Sequence, residues 1–213
     1  MKLINNIKHI QNISGFTILA LHLVGAIGLS VNIFRDFFLF LVPFNLVLTF
    51  LLCCFFIQWK QHLKPFIIIY LIGFFVEFAG VKTGFLFGEY IYGHYLGVKF
   101  LDVPLIIGVN WLLLIFCTYG LAQKFFKNIF VKIIFASFLM VLLDLAIEPV
   151  AIKLGFWSWT EIHVPIQNYF MWFLTSSIMH LVMLKSNVFI SLKLSMVILV
   201  SQLMFFIFLF FRL

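Results

Sequence analysis

Three carboxyl groups stand where an apolar chain would not keep them without reason. Glu77 lies inside an apolar run, with Gly73 four residues before it and Gly80 three after, so the three share one helix face. The small neighbours let another helix, or a ligand, come close to that face. Asp144 and Glu148 are four apart and share a helix face as well, and Pro149 follows at once and is expected to end that helix. A charged side chain at membrane depth costs about 2.5–3.5 kcal/mol on insertion scales, which makes each of these acids a functional candidate. Two like charges one turn apart repel, so one of the two should bind its proton more tightly. A protonated carboxyl beside an ionised one lets a protein pair an acid with a base near neutral pH. The structural alternative is a cluster of interhelical hydrogen bonds.

Other polar groups supplement the acids. Asn168, Trp172, Ser176 and His180 recur every four residues and form a polar stripe on one helix. Asn110, Asn45 and His22 are isolated in apolar runs, where a satisfied hydrogen bond between helices is the plainer role. Tyr90, Tyr92, Trp157 and Trp159 suit the lining of a ligand cavity or, alternatively, an aromatic belt at the membrane interface. Several known chemistries lack their motifs. The chain has no HxxxH or HxxHH cluster for a di-iron centre and no DDxxD for magnesium-dependent prenyl chemistry. It also has no GxGxxG and no GxSxG. Carboxyls, amides and aromatics in lipid suit acid–base chemistry on an apolar substrate, with no cofactor and no metal expected.

The elements that must hold these residues follow from composition. Apolar residues make up 65% of the 213, charged residues 10%, and Phe alone accounts for 31. A soluble domain carries roughly a quarter charged residues, so the solvent here is lipid. Continuous apolar runs of about 20 residues predict helices rather than a barrel. The expected spans are 13–31, 37–58, 66–82, 102–122, 129–147, 166–184 and 189–211. The run at 13–31 is too long for a signal-peptide core and is read as a retained first helix. The fold class is therefore all-α, a polytopic membrane bundle of about seven transmembrane helices forming a single integral membrane domain over 1–213.

Loop charge sets the expected orientation. Lys2, Lys8, Lys60, Lys64, Lys124, Lys127, Lys132, Lys185 and Lys193 fall on one side, with no acid among them. All seven acids lie in or near the opposite set, and a Lys/Arg excess marks the cytoplasmic side. The N-terminus is thus expected in the cytoplasm and the C-terminus outside, in the inner membrane. The net charge of +7 is spread over short loops and forms no patch, which argues against nucleic acid as a partner. Cys53, Cys54 and Cys117 sit in apolar runs and read as small core residues. Two stretches are too apolar for solvated loops, near 83–101 and 148–164. Both are expected to be re-entrant or interfacial, or to cap a cavity.

The motifs resemble those of the membrane carotenoid biosynthesis family that includes the carotenoid 1,2-hydratases and bisanhydrobacterioruberin hydratases. The resemblance begins at Glu77 and Gly80 and runs through Thr83-Gly84-Phe85, Phe87-Gly88, Tyr90 and Tyr92. It continues at Leu96-Gly97, Val103-Pro104-Leu105 and Trp111, then Asp144-Leu145 and Glu148-Pro149. It ends with Gly155, Trp157-Ser158-Trp159, Val164-Pro165, Asn168 and Trp172. It covers about residues 70 to 185 in the family's order, with Glu148 standing where the pattern usually has Asp.

The resemblance implies hydration of the terminal isoprenoid double bond of a linear or monocyclic carotenoid. On this reading Glu77 and Asp144 are the expected acid–base pair, with Glu148, Asn168 and Thr83 positioning water or sharing the proton. Thr83, Tyr90, Tyr92, Asn110, Trp157, Trp159, Asn168 and Trp172 would contact substrate or water. An alkene offers nothing to hydrogen-bond, so its barrier is protonation to a tertiary cation, for which a desolvated carboxylic acid is a suitable donor. The substrate would enter sideways from the bilayer, and other carotenoid-pathway enzymes are expected partners. Cyclisation or isomerisation of the same end group would use the same protonated alkene. A proton-coupled carrier would use the same acids, and a non-catalytic carotenoid-binding protein would use the same cavity. A carrier should show inverted repeats, and none is evident.

Overall fold

The computed structural model describes residues 2–57 and 59–213. Seven helices follow one another: α1 (Lys2–Ser30), α2 (Asn32–Cys53), α3 (Trp59–Thr83), α4 (Ile106–Phe125), α5 (Ile129–Lys153), α6 (Ile166–Lys185) and α7 (Leu192–Arg212). Six are long and apolar enough to cross a membrane, and α6 is the exception. Its polar stripe explains this, because Asn168, Thr175, Ser176 and His180 all occupy its buried face. The all-α bundle agrees with the sequence expectation. The second expected span ended at 58, outside the described residues, whereas α2 stops at Cys53 and passes into a 3-10 turn, Cys54–Phe56. Met1 and the side chains of Lys2, Lys8 and Lys60 also lie outside the described residues.

One expectation about α5 fails. Pro149 does not end the helix, which runs on to Lys153 with Pro149 inside it. Proline frees the carbonyl four residues back. Unwinding there would leave many more backbone groups without partners in an apolar medium, so the helix continues. The non-helical segment therefore begins at Leu154, six residues later than expected.

α4 is the core helix. Every residue from Trp111 to Ala122 is buried, so α4 is apolar all round, as a helix surrounded by others must be. It packs against α2, α3, α5, α6 and α7. At the opposite extreme, α2 buries only Leu39, Thr49 and Cys53.

The two aromatic-rich stretches fold over one end of the bundle as short strands. β1 (Tyr90–Tyr92) pairs antiparallel with β4 (Trp157–Trp159), setting Tyr90 opposite Trp159 and Tyr92 opposite Trp157. Ile91 and Ser158 alternate to the outer face. The ladder is extended by the Gly93 amide, which donates to the Phe156 carbonyl at 2.8 Å. A side chain at Gly93 would collide with the Gly155 carbonyl, so only glycine fits there. β2 (Lys99–Phe100) and β3 (Val103–Pro104) form a hairpin whose turn residues Leu101 and Asp102 both have positive φ. Positive φ at both central positions is the mark of a type I′ turn, which matches strand twist. Asp102 reaches back to Lys82 at the end of α3, 2.5 Å away, and this exposed pair holds the Asp102 carboxyl below its usual range.

Candidate active site

Glu77 projects from α3 into the bundle, and the chain crowds donors around it. The Tyr90 and Tyr92 hydroxyls donate to its Oε2 at 2.5 and 2.7 Å, and the Trp111 indole N–H donates to Oε1 at 2.9 Å. The flanking glycines make this possible. A Cβ at Gly73 would stand 2.9 Å from Trp111, and one at Gly80 would stand 2.5 Å from the Phe87 ring and 3.0 Å from the Tyr90 hydroxyl. Small residues on the Glu77 face therefore admit the groups that bind it. Burial, and then the negative charge of Glu77, push the Tyr90 and Tyr92 phenols well above their ordinary range, so both stay neutral donors.

Glu148 is held in the same way from the other strand. The indole N–H groups of Trp157 and Trp159 donate to its Oε2 at 2.9 and 3.0 Å. Each strand of the β1–β4 ladder thus supplies two aromatic donors, β1 to Glu77 and β4 to Glu148. Asn168 of α6 donates to Asp144 Oδ2 at 2.7 Å and to Glu148 Oε1 at 3.3 Å, which ties the two α5 acids together. Asp144 is fully buried, and its Oδ1 has no partner among the described residues.

Glu77 and Glu148 line one small chamber of about 30 Å³, together with Tyr90, Tyr92, Asn110, Trp157, Trp159, Asn168 and Trp172. That volume suits about one water molecule among polar partners. Trp111 and Trp172 stack at 4.3 Å, and Tyr90 lies 5.0 Å from Trp159, so the walls are aromatic faces. Asp144 stands behind the chamber and is linked to it through Asn168. Thr83 is not part of the assembly. It is exposed at the end of α3, donating to the Ala79 carbonyl at 2.6 Å and accepting from the Phe85 amide at 3.1 Å. The resemblance pointed to Thr83, but its hydroxyl closes the helix end instead.

The sequence reading did not include Trp111 among the site residues. A signal was available, because an indole N–H in an apolar helix needs an acceptor and Glu77 needs donors. Of the remaining polar residues of the α6 stripe, Ser176 donates to the Phe173 carbonyl within the helix, while His180 builds a separate contact. His180 lies 3.0 Å from the Thr118 hydroxyl and 3.1 Å from that of Ser137, joining α4, α5 and α6. Among the described residues, no three His, Cys, Asp or Glu side chains are grouped so as to hold a metal ion.

A second, larger cavity of about 290 Å³ adjoins the chamber. Ile107, Asn110, Ile147 and Trp157 line both.

Residues 37–213 match the family described as carotenoid biosynthesis protein. Over 111 residues the chain is 33% identical to a protein named bisanhydrobacterioruberin hydratase from Haloarcula japonica. That stretch covers 48% of this chain and 38% of the relative, so the chain spans well under half the relative's length. No solved structure matches. The family match takes in the whole chamber, from Glu77 through Trp172, and the chain belongs to the carotenoid biosynthesis protein family.

Proposed function

We propose that the protein is a carotenoid hydratase that adds water across the terminal isoprenoid double bond of a linear or monocyclic carotenoid. The observation that carries this reading is one water-sized chamber faced by Glu77 and Glu148, walled by aromatic rings and joined to an apolar cavity. A carboxylic acid delivers a proton to the less substituted alkene carbon, leaving a tertiary cation. The chamber water attacks the cation and gives up a proton to a second carboxylate. Alkene and water give a tertiary alcohol, and the proton lost equals the proton supplied.

The roles divide by hydrogen bonding. Asp144 and Glu148, one turn apart and joined through Asn168, suit the shared proton that is delivered. Glu77, held by three donors, suits a carboxylate that orients and deprotonates water. The Trp157 ring, at the wall shared by the chamber and the larger cavity, stabilises the cation by about 0.5–2 kcal/mol. No cofactor is needed for these steps.

The chain acts as one integral membrane domain in the cytoplasmic membrane, N-terminus inside, next to the enzymes that supply its polyene. Reporter fusions at each terminus test the orientation, and an N-terminus outside would reverse it. Co-expression with lycopene or γ-carotene biosynthesis tests the reaction. The expected product is heavier by one water, and a rearranged product of unchanged mass would instead indicate cyclisation or isomerisation.

A further inference from the structure

The chamber beside Glu77 and Glu148 has room for water but not for a hydrocarbon end group. The hydrocarbon must therefore approach from elsewhere, and the 290 Å³ cavity lies directly against the chamber. Its walls come mainly from α1, α2 and α7, with α4 and α5 at the chamber end. Its lining is mostly apolar, with His22, Asn45, Asn110 and Gln202 the polar exceptions, and cavities of this kind take apolar ligands. Val24, Phe44 and Leu48 line the cavity, yet each is also 41–58% exposed on the outer surface of α1 or α2. The cavity therefore reaches the lipid-facing side of the bundle at the α1–α2 face, where α2 is least buried.

The wall common to both compartments is made of Ile107, Asn110, Ile147 and Trp157. Among the described residues, Asn110 has no hydrogen-bond partner, so its amide is free to hold a water at that boundary. α1 supplies one side of the cavity and lies outside the residues that match the family, while the rest of the lining lies within them.

We propose that this cavity is the substrate-chain site. A linear polyene enters from the bilayer through the α1–α2 face and places its terminal double bond at the wall shared with the chamber, with water on the far side. The identity of the polyene rests on the hydration reading, but its binding in this cavity can be measured apart from any reaction.

The test uses the full chain, purified in detergent, with lycopene as the probe and quenching of tryptophan fluorescence as the readout. Gly25 lines the cavity, and Gly25→Trp fills it. Binding should weaken by at least about tenfold. Phe16→Trp, on the exposed side of α1, should bind as the unaltered chain does. Where Gly25→Trp fails to fold, Phe44→Cys blocked with a bulky maleimide after purification gives the same reading on folded protein. Unchanged lycopene binding in the folded, filled or blocked protein would overturn the proposal. Glu77→Gln lies off the cavity and should bind lycopene while forming far less hydrated product. An unaltered chain that binds lycopene in a Gly25-dependent way, yet never hydrates it, would sink the hydration reading and leave the chain site standing.

Discussion

The two halves of the bundle are built on opposite principles. Around Glu77 and Glu148, α3, α5 and α6 and the β1–β4 ladder meet through short, direct hydrogen bonds, and glycines bring backbone and rings into contact. Around the large cavity, α1, α2 and α7 meet through mostly apolar side chains and enclose space, and Asn45 Oδ1, in the cavity lining, is buried without a partner among the described residues. Hydrogen bonds to charged groups are worth about 1.5–3 kcal/mol each and fix geometry, whereas apolar contacts fix little beyond volume. Chemistry that needs two carboxyls and a water at set positions belongs in the first kind of structure. A binding site for a long, featureless hydrocarbon needs only the second.

Substitutions on each side sharpen or break this contrast. The largest effect is expected for Glu77→Gln, which should lower hydrated product by about 10²–10⁴-fold, as for loss of an acid–base group. Product is measured by chromatography at matched membrane levels, and full activity would remove Glu77 from the chemistry. Tyr90→Phe or Tyr92→Phe removes one of three donors and should slow turnover by about ten- to a hundredfold, from the 1.5–3 kcal/mol of a charged hydrogen bond.

The same small substitution can then be placed on both sides. Gly73→Ala pushes a methyl to 2.9 Å from Trp111 and should cost about 1–3 kcal/mol, read as a lower melting temperature in detergent. Gly25→Ala places its methyl 3.5 Å from the Phe205 ring, an ordinary contact, and should gain up to about 1 kcal/mol from helix propensity. Equal responses at the two glycines would abolish the distinction between the two halves. The smallest effect is expected for Asp102→Asn. Its carboxyl is depressed by Lys82 but fully exposed, so the pair's contribution is present above the ordinary carboxylate range and fades on acidification. The melting temperature at neutral pH should not change measurably.

Much of this was readable in the chain, and the misses have physical causes. The spans follow from apolar run length, and the Gly73–Glu77–Gly80 spacing correctly marked a closely packed face. The α6 stripe placed Asn168 and Trp172 in the chamber, since residues four apart share a face. The β1–β4 pairing was not legible, because three-residue strands carry almost no periodic signal and their register is set by the ends of α3, α5 and α6. Pro149 misled for a related reason. Local propensity ends a helix there, while the apolar surroundings of α5 favour continuing it. The large cavity was invisible because it is the space between α1, α2 and α7, which no residue spacing encodes.

The most direct measurement places the purified protein in vesicles with lycopene and water labelled in both hydrogen and oxygen. Proton delivery from carboxyls followed by attack of chamber water predicts a tertiary alcohol carrying one labelled oxygen and one labelled hydrogen on carbon from water, the hydroxyl hydrogen exchanging freely. A product that keeps its original mass in unlabelled water, or whose oxygen comes from dissolved oxygen gas, would contradict it.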